Sequence, residues 1–191
     1  MKSKKKTTVS LALAILIGTS VGSLAIASTS EQAVSTESGM PANVIGYNEV
    51  VGIFAEDGRA RLDIGLDSVK KEQSPTHESW ATRFYIKRLD GPSEGPVTKD
   101  HLIAIVAEDG RARLDIGAAS VKLEQSPSHE SWATRLRIVR LDGESSGPLM
   151  YGHLVGVFAE DGRARLDIGL DSMKKEQLPT HESWATRLRI R

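Results

Sequence analysis

Residues 55–65 read Ala-Glu-Asp-Gly-Arg-Ala-Arg-Leu-Asp-Ile-Gly, and the same stretch returns unchanged at 107–117 and at 159–169. The spacing is 52 residues both times. A second block, His-Glu-Ser-Trp-Ala-Thr-Arg, keeps this spacing at 77–83, 129–135 and 181–187. A fixed period of this length is typical of architectures built from repeated supersecondary units. The chain therefore contains three copies of one unit.

Each copy of the first block predicts a β-hairpin. Asp57-Gly58 stands between two apolar-rich runs, and glycine accepts the positive φ that a two-residue turn needs. This register places Glu56 opposite Arg59 and Phe54 opposite Arg61. One face is then wholly apolar: Val51, Ile53, Ala55, Ala60, Leu62 and Ile64. The opposite face carries Phe54, Arg59, Arg61 and Asp63, and we expect exposed ion pairs there.

A further strand is predicted over residues 79–89, beginning within the second block. Trp80, Thr82, Phe84 and Ile86 alternate with polar or smaller residues, which is strand periodicity. A short fourth strand is expected at 95–97 and at 147–149. The third unit ends at Arg191 without this segment, but residues 44–47 align with 148–151 and can supply it.

These features predict one all-β domain over residues 41–191, with repeats at 41–92, 93–144 and 145–191. A lone unit of this size, without Cys or metal, buries too little surface to be stable by itself. We therefore expect the three units to close as a β-trefoil-like barrel. The alternative is three tandem small β modules.

The chain resembles the fascin-like, actin-crosslinking branch of the β-trefoil proteins over about residues 44–191. The resemblance consists of Ala-Glu-x-Gly at 55–58 and its copies, followed by a Trp-led strand with an aromatic or aliphatic residue four positions on. It implies the β-trefoil fold. The Gly-Lys-Tyr usual near the first turn of that family does not occur, so actin binding is not carried over.

Residues 1–27 predict a secretory signal peptide. Four lysines precede an apolar segment that ends in Ala25-Ile26-Ala27, a small-x-small cleavage pattern. The alternative is an uncleaved membrane anchor, although glycines and serines interrupt the segment. Residues 28–40 lack periodicity and predict a flexible leader.

The mature chain would hold 21 basic and 25 acidic residues, a net charge of −4. This charge disfavours nucleic acid as a partner, because nucleic-acid binding needs a concentrated basic face. The chain has no Cys and no second apolar span, so we expect neither disulfides nor a membrane span after cleavage. The Lys-rich signal and the Cys-free body suit a secreted bacterial protein.

The candidate binding residues lie in the second block. Trp80, Trp132 and Trp184 are the only tryptophans, and a sugar could stack on each indole, with a histidine and an arginine as hydrogen-bonding neighbours. The candidate set is His77, Trp80, Arg83, His129, Trp132, Arg135, His181, Trp184 and Arg187. The alternative, which the alternation with Phe84 favours, is that each tryptophan is a core residue.

Other site chemistries are less well supported. His77, Glu78 and Ser79 are consecutive, and consecutive residues at a strand entrance point in different directions, which disfavours a catalytic triad. The acidic residues at 56, 57 and 63 match neither an EF-hand nor a glycine-rich calcium repeat. A three-His metal set would require the repeats to gather their histidines on one axis. We predict no metal and no cofactor.

Together these features predict an exported, non-catalytic binding protein with up to three equivalent sites for a glycan or a cell-surface partner. The leading alternative is a secreted inhibitor or toxin accessory that acts through one loop, such as 92–95. An enzyme ranks third, because a small body with three copies of one site favours binding. The oligomeric state is not predicted.

Overall fold

The computed structural model describes residues 40–64, 74–117, 126–144, 146–168 and 178–191. These residues belong to one compact unit, Glu37–Arg191. The predicted signal peptide, 1–27, and all but Met40 of the leader lie outside the described residues. The described ranges contain no helix, and so none that could cross a membrane.

Seven antiparallel strands form a single sheet, which confirms the all-β class. In chain order they are β1 (Val50–Val51), β2 (Ile53–Ala55), β3 (Phe84–Arg88), β4 (Ile103–Ala107), β5 (Leu136–Arg140), β6 (Leu154–Ala159) and β7 (Leu188–Ile190). The order in the sheet is β1-β3-β4-β5-β6-β7-β2. β2, β4 and β6 lead into the three repeated turns, whereas β3, β5 and β7 follow the three tryptophans.

The two end strands of the sheet are neighbours in the chain, with only Gly52 between them. β1 pairs with β3, placing Val51 opposite Phe84, and β2 pairs with β7, placing Ile53 opposite Ile190. Gly52 continues the second pairing, because its N–H donates to the Arg191 carbonyl (2.7 Å) and its carbonyl accepts from Arg191 N–H (3.0 Å). β4 and β6, which correspond to β1 and β2 in the second and third repeats, are each continuous.

The predicted short fourth strands are present as single bridges. The three segments bond to one another in a cycle, because Ile45 N–H donates to Leu149, Leu149 N–H to Val97, and Val97 N–H to Ile45, at 2.8–2.9 Å. All three side chains are buried. The assignment of residues 44–47 to the missing segment of the third repeat is consistent with this cycle.

The predicted apolar face of the hairpin is confirmed as the core. Val51, Ile53, Ala55, Ala60, Leu62 and Ile64 are all at most 2% exposed. Their counterparts in the other repeats join the same cluster, as do the inward residues of β3, β5 and β7. Period-2 alternation therefore located the main core from the sequence.

The predicted turn is wrong in its details. Phe54 does pair with Arg61, but Gly58 N–H donates to Ala55 (2.9 Å), so the loop spans four residues, 56–59. Asp57 sets this geometry, because one carboxylate oxygen accepts from the Arg59 backbone N–H (3.0 Å) and the other from Arg59 Nε (2.6 Å). The expected Glu56–Arg59 pair is consequently absent. Gly58 has φ of +72°, as a turn glycine should.

The face predicted to be exposed is mostly buried, which is a second correction. The exposed fractions of Phe54, Arg61 and Asp63 are 8%, 4% and 5%. Only the Arg59 side chain on this face is largely exposed, at 58%. Arg61 is buried against the second block, to which it donates hydrogen bonds. Alternation correctly placed these side chains on one face, but it could not show that another segment covers that face.

The predicted strand over 79–89 begins later than expected. β3 starts at Phe84, and Trp80 to Thr82 form a turn in front of it. The Thr82 hydroxyl explains the difference, since it accepts from Ser79 N–H (2.9 Å) and closes the turn.

Candidate functional site

A buried arginine organises the second block of each repeat. Nε of Arg61 donates to the Thr82 carbonyl (3.2 Å), and Nη1 donates to the His77 carbonyl (3.0 Å). Nη1 also lies 3.3 Å from Glu78 Oε1, in an ion pair whose carboxylate is 68% exposed. One guanidinium therefore holds both ends of the turn that carries Trp80.

The other two repeats build the same turn. Arg113 donates from Nε and Nη2 to the Thr134 carbonyl (3.2 and 3.0 Å). Arg165 donates to the His181 carbonyl (3.0 Å) and twice to Thr186 (3.3 and 3.1 Å). Burial lowers the pKa of both arginines, and a nearby glutamate partly offsets this effect. Within the described residues, no buried side-chain N or O atom lacks a hydrogen-bond partner.

Each tryptophan lies half-buried against the core, and its partner belongs to the next repeat. The Arg111 guanidinium lies over the Trp80 ring at 4.3 Å. Arg163 covers Trp132 at 4.5 Å, and Arg59 covers Trp184 at 4.8 Å, which completes a cycle through all three repeats. We call these three inter-repeat contact regions the seams.

A salt bridge lies at each seam as well. Arg83 pairs with Glu108 at 2.7 Å, and Glu108 N–H donates to the Arg83 carbonyl at 2.8 Å. The corresponding pairs at the other seams are Arg135–Glu160 at 2.8 Å and Arg187–Glu56 at 3.0 Å. The glutamate predicted to face Arg59 thus turns instead to the preceding repeat.

The structure places the nine predicted site residues in two kinds of environment. The tryptophans and Arg83, Arg135 and Arg187 lie at the seams and are half-buried. His77, His129 and His181 are exposed, and their carbonyls hold the turns. No three His, Asp or Glu side chains of the described ranges come together in a way that could hold a metal ion.

Sequence reasoning missed the residues that cover the indoles, Arg59, Arg111 and Arg163. All three belong to the first block, which was interpreted only within its own repeat. The constant period was the available signal, because equal repeats that pack against one another can bring the first block of one repeat beside the second block of another.

No protein-family model matches the chain, and no curated protein matches it either. The solved structures that are similar in fold include the following two. An SDF2-like protein from Arabidopsis thaliana has a TM-score of 0.56 at 13% identity, covering 78% of this chain and 94% of that one. A Caenorhabditis elegans protein of unknown function has a TM-score of 0.58 at 9% identity, covering 80% and 98%. At these identities the likeness concerns the fold alone.

Proposed function

We propose that this chain is an exported, non-catalytic binding protein of the β-trefoil type with three equivalent lectin-like sites, one at each seam. The candidate ligands are glycans, including those of a cell surface. Each site comprises a tryptophan, the seam arginine and the exposed histidine: Trp80, Arg83 and His77 in the first copy. Three equal sites allow weak individual contacts to add up when the target is multivalent.

Two observations support the trefoil closure. The hydrogen-bond cycle of Ile45, Val97 and Leu149 joins one segment of each repeat. The terminal strands β1 and β2 are separated only by Gly52, so the sheet order begins and ends at the same place in the chain. A closed ring of three units also leaves no sheet edge open to other chains.

The threefold recurrence of the seam is the observation that carries the binding proposal. At each seam a half-buried indole adjoins a guanidinium–carboxylate pair. An indole offers an apolar face for the C–H side of a sugar ring, while charged groups beside it can bond to hydroxyls. The same chemistry three times over favours multivalent binding over catalysis at a single centre.

The guanidinium over each indole is held weakly enough for a ligand to displace it. Arg59, Arg111 and Arg163 are 58%, 53% and 63% exposed, so each is held mainly by its own aspartate and the ring. A cation–π contact at such an exposed site contributes only about 0.5–1 kcal/mol. A sugar ring can therefore displace the arginine at small cost and take its place on the indole.

The test uses the chain without residues 1–27 on a glycan array, followed by titration of the best ligand. We expect three sites per chain. Arg111→Ala uncovers Trp80 and should raise the affinity of that site about two- to five-fold. Trp80→Ala should remove one site of the three, and changing all three tryptophans should abolish binding.

Thermal unfolding of each variant provides the control for folding. Saturation at one partner per chain, together with loss of binding on changing residues 92–94, would support the one-loop inhibitor instead. An array without signal would contradict the lectin-like proposal. Export is tested separately by expressing the full chain in a bacterium and sequencing the product in the medium, which should begin at Ser28.

A further inference from the structure

A cleft of about 350 Å³ opens beside the break between β1 and β2. It is lined by Val50, Val51, Gly52, Arg61, Glu78, Arg83 and Arg191. Three guanidinium groups and one carboxylate contribute to this lining, and Glu108 pairs with one of the three, Arg83, so these side chains leave one net positive charge although the mature chain is acidic. Of these residues, only Arg83 belongs to the proposed sugar sites.

Arg61 presents a fixed donor to this cleft. Its Nε and Nη1 are held by carbonyls, and the residue is only 4% exposed. The Thr82 carbonyl accepts from Nε of Arg61, whereas the equivalent carbonyls of Thr134 and Thr186 accept from both Nε and Nη2 of their arginines. A Cβ placed on Gly52 would lie 3.2 Å from Arg61 Nη2, so the glycine leaves this nitrogen accessible from the cleft.

Arg191 supplies the second cation, and its position is also fixed. Its backbone pairs with Gly52 in both directions, and its guanidinium lies 5.1 Å from the Phe54 ring centre. Arg61 lies over the same ring at 5.0 Å. Both guanidinium groups therefore contact one aromatic ring, which restrains their side chains.

The corresponding positions in the other repeats do not reproduce this arrangement. Gly52 lies opposite Arg191 in the first repeat. At the equivalent positions, Ala104 lies opposite Lys87 in the second repeat and Gly156 lies opposite Val139 in the third. The second repeat therefore has a lysine and no adjacent glycine, and the third has a glycine and no second cation. The combination of a glycine with two arginines occurs only at the first repeat.

We propose that this cleft binds one carboxylate or sulfate group per chain, carried by an acidic sugar residue. Guanidinium groups bind such planar or tetrahedral oxyanions through paired, charge-assisted hydrogen bonds. The cleft is at the small end of the range for ligand pockets, which suits a single monosaccharide unit. Glu78 lies at the exposed rim of the cleft. When the ligand binds to Arg61, Glu78 loses only one 3.3 Å contact with that arginine.

The experiment is a titration of the mature chain with galacturonate, glucose 6-sulfate and neutral galactose, at low and at high salt. One acidic ligand should bind per chain, about tenfold more tightly than the neutral sugar, with affinity falling as salt rises. The two acidic arms distinguish a carboxylate from a sulfate as the preferred group. Failure of the three seam sites would appear separately, as loss of the neutral-glycan signal on the array.

Arg191→Val is the decisive variant, because the third repeat already has valine at this position and the backbone pairing is kept. We expect about tenfold weaker binding of the acidic ligand with unchanged thermal unfolding. Lys87→Val is the matched control, since it removes a cation from the same position of the second repeat, and it should leave binding unchanged. Equal binding of the acidic ligand by Arg191→Val and the parent chain would overturn the proposal.

Discussion

The start of the first repeated strand differs from the same place in the other two repeats. Val50 is 39% exposed, whereas Leu102 and Leu154 are 6% and 4% exposed. β1 and β2 are two short pieces, whereas β4 and β6 are continuous. Near-identical repeated blocks therefore do not produce three identical surroundings, and the cleft of the first repeat lies beside this exposed strand start.

Arginines on the neighbouring strands account for part of this difference. Arg137 donates from Nη1 to the Asp100 carbonyl (2.8 Å), just ahead of β4, and Arg189 donates to the Gly152 carbonyl, just ahead of β6. Tyr85 occupies the corresponding position beside Val50. A guanidinium therefore hydrogen-bonds to the backbone just before β4 and just before β6. At the equivalent place in the first repeat, before β1, the residue is a tyrosine instead.

The largest test of the comparison removes the buried arginine from different repeats. Arg165→Met removes both hydrogen bonds from Arg165 to the buried Thr186 carbonyl and leaves the His181 carbonyl with the Thr186 hydroxyl as its donor, so we expect a loss of about 2–4 kcal/mol in the free energy of unfolding. Arg61→Met should cost about 1 kcal/mol less, because Arg61 makes fewer bonds to its threonine and water in the cleft can reach the freed carbonyls. Urea unfolding measures both values.

Arg163→Met is the control for this pair, because it removes an exposed arginine two residues from Arg165. It should change stability by no more than about 1 kcal/mol. Equal losses for Arg61→Met and Arg165→Met would mean that the cleft does not loosen the first arginine, and the contrast between the repeats would fail at this position.

A second test uses two positions at which the repeats differ in side-chain size: two repeats have a glycine followed two residues later by phenylalanine, and one has an alanine followed by valine. A Cβ on Gly156 would lie 2.7 Å from Phe158 Cε2, and the same distance separates a Cβ on Gly52 from the Phe54 ring. The second repeat has Ala104 at this position, with the smaller Val106 in place of the phenylalanine. Gly156→Ala should therefore cost about 1–3 kcal/mol by overpacking.

A double-mutant cycle shows whether the ring is the cause. Gly156→Ala combined with Phe158→Val should be less destabilising than the sum of the two single changes by about 1 kcal/mol, because the alanine then meets a valine as it does at Ala104. The same cycle at Gly52 and Phe54 provides the comparison with the first repeat. Additive losses would show that the glycine is required for some reason other than the ring.

The sequence predicted the class, the repeat and the core face of this fold, and the reason is local. Alternation of Ile53, Ala55, Leu62 and Ile64 depends only on neighbouring residues, and one register satisfies it. The burial of Arg61 could not be predicted in this way. Its partners are the backbone carbonyls of His77 and Thr82. Because every residue has a backbone carbonyl, the pattern of side chains in the sequence does not indicate which carbonyls it will bond.

The site was predicted less completely than the fold, because its contacts cross between repeats. The tryptophans were singled out from the sequence, but each was given neighbours from its own block, such as His77. The structure instead brings Arg111 to Trp80 and Glu108 to Arg83. The cleft depends on differences between copies, Arg191 against Val139 above all, and these positions were not among the predicted site residues.

The smallest test concerns the carboxylates that precede β4 and β6. Asp142 accepts from Leu154 N–H (2.9 Å) and from Arg140 Nε (2.8 Å), and Asp90 bonds in the same way to Leu102 and Arg88. At the same spacing the first repeat has Ser38, which lies outside the described residues. Burial by itself would raise the pKa of Asp142, but the hydrogen bonds from Arg140 and Leu154 outweigh it, and the pKa lies below its usual value.

A carboxyl group with a lowered pKa in the folded state stabilises the protein above its unfolded pKa of about 4, and this contribution is lost as the pH falls through the folded value. Asp142→Asn keeps an acceptor for Leu154 but removes the charge, so we expect a loss of about 0.5–1 kcal/mol at pH 7, given the partial exposure of the group. The gap between variant and parent should shrink below pH of about 4 and close under acid conditions. Urea unfolding across this pH range measures it, with Asp90→Asn as the matched variant. A gap that stays constant with pH would mean that the aspartate acts through its shape alone, and that its charge does not help to hold Leu154 more firmly than Val50.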